Sequence, residues 1–289
     1  MSDAPASPAW NGRAPEPAPR APLWRQAWGW ARIVALALAT AAALGLYASC
    51  KAVERVFPRF DGRWRVQTGW ARLAARMLGL RVRRVGRPMP EGGALVSNHV
   101  SWTDIIVLRA AARVTFVAKA EVASWPGVGL IARVTDTVFV ERRRAAARRQ
   151  EAELRARMRR GERLVFFPEG TSTDGLRVLP FKSTLFAAFL SDELRAHVRV
   201  QPVTLAYRPD PASGLPAHFF GWWGDMDMLS HLKALCMLRH GGQVTVMFHQ
   251  PVRAADFDDR KRLARICHEE VLAGLRQALP DAPEPIADR

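Results

Sequence analysis

The chain has 289 residues, 43 Lys plus Arg against 27 Asp plus Glu, and is 49% hydrophobic. That length holds one catalytic-sized domain, and the composition excludes a wholly disordered chain and an all-membrane bundle. The net charge of +16 at pH 7 suits nucleic acid, anionic lipid or acidic substrates, and a GC-rich coding sequence would produce the same arginine bias.

Residues 1–22, with six prolines and six alanines, form a stretch too poor in core residues to fold and read as a disordered tail. Trp24, Trp28 and Trp30 follow, and then Ile33 to Cys50 runs for 18 positions without a charge. Tryptophans before that run and Lys51 with Arg55 after it fit the interfacial anchors of a membrane helix. A signal peptide competes, but the long proline-rich lead and bulky Tyr47 near Cys50 argue for an uncleaved anchor. The C-terminal flank carries more Lys and Arg than the N-terminal one, which places the bulk of the protein in the cytoplasm. Whether the helix spans the bilayer or re-enters it stays open. From Trp64 to Leu80, one helical face gathers Val66, Trp70, Leu73, Met77 and Leu78, with Arg65, Arg72 and Arg76 elsewhere. Such a helix either lies on a membrane surface or packs on a core. Residues 23–80 are thus expected to form an anchoring helix pair.

Residues 81–280 alternate short β-branched runs with helical stretches, and 281–289 form a frayed tail. Strands are expected at 82–85, 94–97, 114–118, 137–140, 164–167, 198–206 and 244–249. Helices are expected at 102–112, 144–160, 182–194, 226–238 and 260–279. This alternation predicts an α/β domain with a mixed, mostly parallel sheet flanked by helices. The cysteines Cys50, Cys236 and Cys267 form no CxxC pair, which excludes a disulfide scaffold and a thiolate zinc site.

Several motifs fail on inspection. Residues 126–132 imitate a dinucleotide fingerprint without a preceding strand, and Gly170-Thr-Ser172-Thr-Asp174 lacks the last glycine of a nucleophile elbow. The histidines show no metal-ligand spacing, so no metal is expected. Two runs remain. Asn98-His99-Val-Ser-Trp-Thr-Asp104 follows an expected strand, so His99 sits where a substrate can reach it. If the chain turns, Asp104 can hold one ring nitrogen and leave the other as a general base. The same Ser101 to Asp104 spacing fits a capping box, and the two roles can coexist. Next, Leu164-Val-Phe-Phe-Pro-Glu169-Gly170-Thr171 ends a strand in a glycine turn that offers backbone donors and a carboxylate.

Taken in order, Asn98 to Asp104, Phe139-Val-Glu-Arg142, Phe167-Pro-Glu-Gly-Thr171 and Val200-Gln-Pro202-Val-Thr-Leu205 match four blocks. In these blocks the chain resembles the glycerolipid acyltransferase family, in particular bacterial lysophosphatidic acid acyltransferases. The resemblance covers roughly residues 82–210. It implies that His99 deprotonates an acceptor hydroxyl, that Asp104 orients it, and that the hydroxyl attacks an acyl thioester. The donor would be acyl-CoA or acyl carrier protein, with no resident cofactor. Arg142 and the Glu169–Gly170 block would hold the acceptor head group, Pro202 would shape the site, and Asn98 and Thr171 belong to the same blocks. Lys119 and Arg177 could supply charge to a phosphate.

One position departs from the pattern. Family members that acylate lysophosphatidic acid commonly carry arginine after the third-block threonine, where this chain has Ser172. The loss of a guanidinium weakens the case for a phosphate acceptor. The run Phe167 to Phe186, with Trp222-Trp-Gly-Asp225 downstream, is similar to relatives that acylate lyso-ornithine lipid, whose head group is an amino acid. The expected function is acyl transfer to a lysolipid at the cytoplasmic face of the inner membrane, first to 1-acylglycerol-3-phosphate and alternatively to lyso-ornithine lipid. Membrane lipid and the acyl donor are the expected partners. A non-catalytic basic protein, bound to membrane or nucleic acid, is supported by charge alone, and nucleic acid is not an expected partner.

Overall fold

In a computed structural model of the protein, the described residues are 21–281 except 58, 125–128, 130–131, 133–135 and 141–143. The expected tails 1–22 and 281–289, apart from residues 21, 22 and 281, most of the imitation fingerprint, and Arg142 lie outside the described residues.

Every expected β-branched run becomes a strand: β1 (Leu80–Val85), β2 (Gly93–Ser97), β3 (Thr115–Lys119), β4 (Val138–Val140), β5 (Arg163–Phe166), β6 (Arg199–Pro209) and β7 (Gly242–Phe248). A two-residue strand not foreseen, β8 (Val252–Arg253), pairs with β6. The sheet order is β1-β7-β6-β2-β5-β3-β4, with β6 antiparallel to β7 and β8 and the remaining pairs parallel. Alternation along the strands feeds two cores. Leu95, Val165, Val203 and Leu205 face one side, while Ala94, Val96, Leu164 and Phe166 face the other.

The helices are α1 (Leu23–Val56), α2 (Gly62–Met77), α3 (Asp104–Ala111), α4 (Arg144–Arg159), α5 (Met228–Cys236) and α6 (Arg260–Ala278). The helix expected over 182–194 is instead broken into short turns, Ser183–Phe186, Ala187–Leu190 and Asp192–Arg195. Phe186, Phe189 and Leu194 nevertheless face one core, as these positions would on a regular helix.

Helix α1 is 34 residues long, about 51 Å at 1.5 Å per residue. By length and composition it can cross a membrane, and among the described residues it is alone in this. Yet the domain grips it at both ends. Arg32 donates to the carbonyls of Cys236, Leu238 and Met77, while Tyr47 and Lys51 each reach Asp136 at 2.7 Å. Between these grips Val34, Leu38 and Leu46 remain exposed, as do Trp24, Trp28 and Trp30 near the start.

On α2 the buried stripe is Gln67, Ala71, Ala74 and Ala75, offset from the large apolar residues. Small side chains let this helix lie close to the domain. Trp70 turns to α1, where its Nε1 donates to Thr40 Oγ1 at 3.0 Å, and Leu73 is exposed. Of the two expected roles, packing on a core is the one seen, through Ala71, Ala74, Ala75 and Leu78.

Candidate active site

Parallel strands β2, β5 and β6 end on one edge of the sheet, and the first and third sequence blocks follow the first two. Asn98 locks this edge. Its Nδ2 donates to the Leu205 carbonyl at 2.9 Å, and its Oδ1 accepts the Leu205 amide at 2.8 Å. Asn98 is fully buried, so it fixes β2 to β6 and does not present its amide to a substrate.

His99 follows at once, its side chain 22% exposed while Asp104 is wholly buried. The chain turns as the spacing requires, and His99 Nδ1 lies 2.7 Å from Asp104 Oδ2. The same oxygen accepts the amides of Val100 at 2.7 Å and Ser101 at 3.1 Å. One carboxylate thus supplies half of a capping box and orients the imidazole, so the two roles do coexist. An oxygen that already accepts two amides meets Nδ1 as a further donor, which fixes the Nδ1–H tautomer. The ring is stacked on Phe167, centroids 4.2 Å apart. No hydrogen bond from the described residues reaches Nε2, which is left with its lone pair for a substrate proton.

The third block wraps under the first. Glu169 is buried; its Oε1 accepts the His99 amide at 2.7 Å and its Oε2 the Leu179 amide at 2.9 Å. Burial pushes the Glu169 carboxyl up to about 8, opposed by those two amides and reinforced by Asp104 and Asp174. Glu169 therefore shapes the two loops and turns away from an acceptor. Gly170, at φ +74, is held in the left-handed region, and a Cβ there would meet Lys182 Nζ at 2.5 Å. Thr171 Oγ1 lies 3.3 Å from the Ser172 carbonyl.

Beyond it the Thr173 amide donates to the His99 carbonyl at 3.0 Å. Ser172 is buried, and its hydroxyl donates to the Trp222 carbonyl, while the Trp222 amide donates to Val100 O at 2.9 Å. The downstream Trp222 segment thus joins the first and third blocks. Asp174 and Arg177 form an ion pair at 2.9 Å, with Arg177 the more exposed member. Lys119 ends β3 opposite Val140, and Pro202 sits within β6 opposite Val96.

Sequence reasoning missed Tyr207 here. Tyr207 donates to Asp104 Oδ1 at 2.7 Å. Phe167, Trp222 and the Asp174–Arg177 pair complete the setting. His231 was missed in a different way: it accepts from Trp102 Nε1 at 3.0 Å and lies 3.4 Å from the Phe219 carbonyl. Burial lowers its pKa to about 4, with the Phe219 carbonyl opposing.

A partly exposed imidazole, oriented by a buried carboxylate at a strand end of a mixed α/β sheet, has the geometry of a general base. The Acyltransferase family profile matches residues 81–206, which contain this site. The chain is 43% identical over 245 residues to the lyso-ornithine lipid O-acyltransferase of Rhodobacter capsulatus, covering 84% of this chain and 88% of that protein. It is 38% identical over 156 residues to a 1-acyl-sn-glycerol-3-phosphate acyltransferase of Neisseria gonorrhoeae, covering 52% and 58%. The fold matches the 1-acyl-sn-glycerophosphate acyltransferase PlsC of Thermotoga maritima with a TM-score of 0.62, at 20% identity and over 90% of this chain and 99% of that one. The chain belongs to the acyltransferase family and is an O-acyltransferase of lysolipids.

Proposed function

We propose that this enzyme acylates lyso-ornithine lipid, the second of the two acceptors expected from the sequence. The observation that carries the choice is Ser172. Where phosphate-reading relatives commonly carry arginine, this side chain is buried and bound to the Trp222 carbonyl. The long match to the Rhodobacter capsulatus protein supports the same acceptor. Arg177, braced by Asp174, would receive the carboxylate of the amino-acid head group.

In the proposed reaction, His99 Nε2 takes the proton of the acceptor hydroxyl as its oxygen attacks the thioester carbonyl carbon. The C–S bond then breaks, the ester remains on the lipid, and the thiolate recovers the proton. No acyl-enzyme is formed, and no resident cofactor takes part. The donor is acyl-CoA or acyl carrier protein, both acidic enough to be drawn to a surface of charge +16.

Location follows from α1. Because the domain grips it at Arg32 and again at Tyr47 and Lys51, its exposed side would lie in one leaflet, and the excess of Lys and Arg after the apolar run supports the cytoplasmic face of the inner membrane.

The test offers lyso-ornithine lipid and lysophosphatidic acid to purified enzyme with one labelled donor, first acyl-CoA and then acyl carrier protein. The reading expects kcat/KM at least about tenfold higher for lyso-ornithine lipid, the scale of a single recognition contact. Preference for lysophosphatidic acid overturns it.

A further inference from the structure

The acid–base pair has a third member on another strand. We propose that Tyr207 is a positioning residue of the transfer site, whose hydroxyl on Asp104 Oδ1 sets how firmly that carboxylate holds the His99 ring. The inference rests on the reading of His99 as base.

The two oxygens of Asp104 are held differently. Oδ2 accepts His99 Nδ1–H and the amides of Val100 and Ser101. Oδ1 accepts Tyr207 Oη–H at 2.7 Å, and no other described residue donates to it. The tyrosine oxygen lies 3.1 Å from Thr103 Oγ1. When the threonine hydroxyl donates to it, the single phenolic proton is directed to Asp104. Tyr207 is 3% exposed and its ring is packed 5.9 Å from Phe220. The Asn98–Leu205 clamp fixes β6 two residues before it. Burial, and then the Asp104 charge, raise the phenol well above its ordinary value, so it stays a donor across the working range.

The chemical consequence has a sign. A donor on Oδ1 draws negative charge away from the edge that faces the imidazole. Without it the carboxylate turns its full charge on the ring and holds a protonated ring more strongly. The active, unprotonated base then requires higher pH. The other titratable groups facing this corner are Glu169 and Asp174 from the third block and, through Trp102, His231 from α5. They are unchanged when Tyr207 alone is altered.

Tyr207→Phe removes the hydroxyl and keeps the ring. We expect kcat to fall roughly 10- to 150-fold, the loss of one buried hydrogen bond to a charged group, with both substrate KM values within twofold. The acid limb of the kcat/KM profile should move up by about half a pH unit. A merely structural role would lower activity without moving the limb. The chain has two tyrosines, and the other, Tyr47, bonds Asp136 away from this site. In a Tyr47→Phe parent, uniform 3-fluorotyrosine labelling therefore alters position 207 alone. A more acidic phenol is a stronger donor, so the limb should move down relative to that parent. An unmoved limb, or shifts of one sign in both enzymes, overturns the inference; should Tyr207→Phe fail to fold, the fluorinated enzyme decides. A His99→Ala control separates the layers. If that enzyme is inert and the limbs do not move, this inference alone fails. If it keeps activity, the base reading fails first.

Discussion

The ends of β2 and β5 are neighbours on one edge of the sheet, and each is followed by a block with a buried carboxylate. The two carboxylates do opposite things. Asp104 gathers backbone amides on one oxygen and still holds the His99 ring, so its charge reaches a group that a substrate can touch. Glu169 gives both oxygens to the amides of His99 and Leu179, so its hydrogen bonds end inside the loops. One corner is chemical and the other is the frame that holds it, although the sequence presents each as an acid beside a strand end.

Four changes break or sharpen that contrast, from the largest effect to the smallest. Asp104→Asn should lower kcat by about 10²- to 10³-fold, because an amide oxygen in place of Oδ2 can keep the loop amides but brings no negative charge to the ring as it takes up the proton, and the NH₂ is left facing Tyr207. Steady-state kinetics in mixed micelles measures this. Glu169→Gln should lower kcat about tenfold with acceptor KM nearly unchanged. One backbone amide loses its acceptor whatever the charge of the original carboxyl, at a cost of about 1–3 kcal/mol visible in thermal unfolding. A rise in acceptor KM alone would show Glu169 touching the acceptor. Arg177→Ala should behave the other way, raising the KM for lyso-ornithine lipid several-fold while kcat changes little.

The smallest effect near neutrality concerns the support behind Trp102. Burial lowers His231 to about 4 from the usual 6.5, so the unfolded chain takes up the proton first as the medium is acidified. Stability is therefore undiminished above pH 6.5 and falls as pH drops from about 6.5 towards 4, by up to about 3 kcal/mol. His231→Gln should flatten that part of the stability profile in urea unfolding at pH 5 and pH 7.

The sequence made the strands and the His99–Asp104 pair legible, because β-branched runs and a five-residue spacing are local signals. What it hid depends on distant partners. Tyr207 stands in a run of β6 that is buried throughout, where nothing in the strand's period separates a packed ring from a hydrogen-bond donor. Only the parallel pairing of β6 with β2 brings its hydroxyl to Asp104. Glu169 followed a proline at a turn, and exposure was the natural expectation; its inward direction is set by Leu179, ten residues on. The stretch 182–194 reads as one helix by its apolar spacing, and Phe186, Phe189 and Leu194 do share one core, but the backbone is broken into short turns. The large apolar face of α2 was legible too, but its alanine stripe, which carries the close packing, was not.

The central claim is that the His99 imidazole performs the proton transfer and the rest of this edge holds it in place. Its most direct test is acyl transfer by His99→Ala in vesicles of anionic and zwitterionic lipid, with a labelled donor and lyso-ornithine lipid. Background turnover is expected, with vesicle binding and unfolding temperature equal to those of the parent enzyme. Transfer at more than about a hundredth of the parent rate, beyond what orientation and charge stabilisation leave when the base is removed, would contradict it.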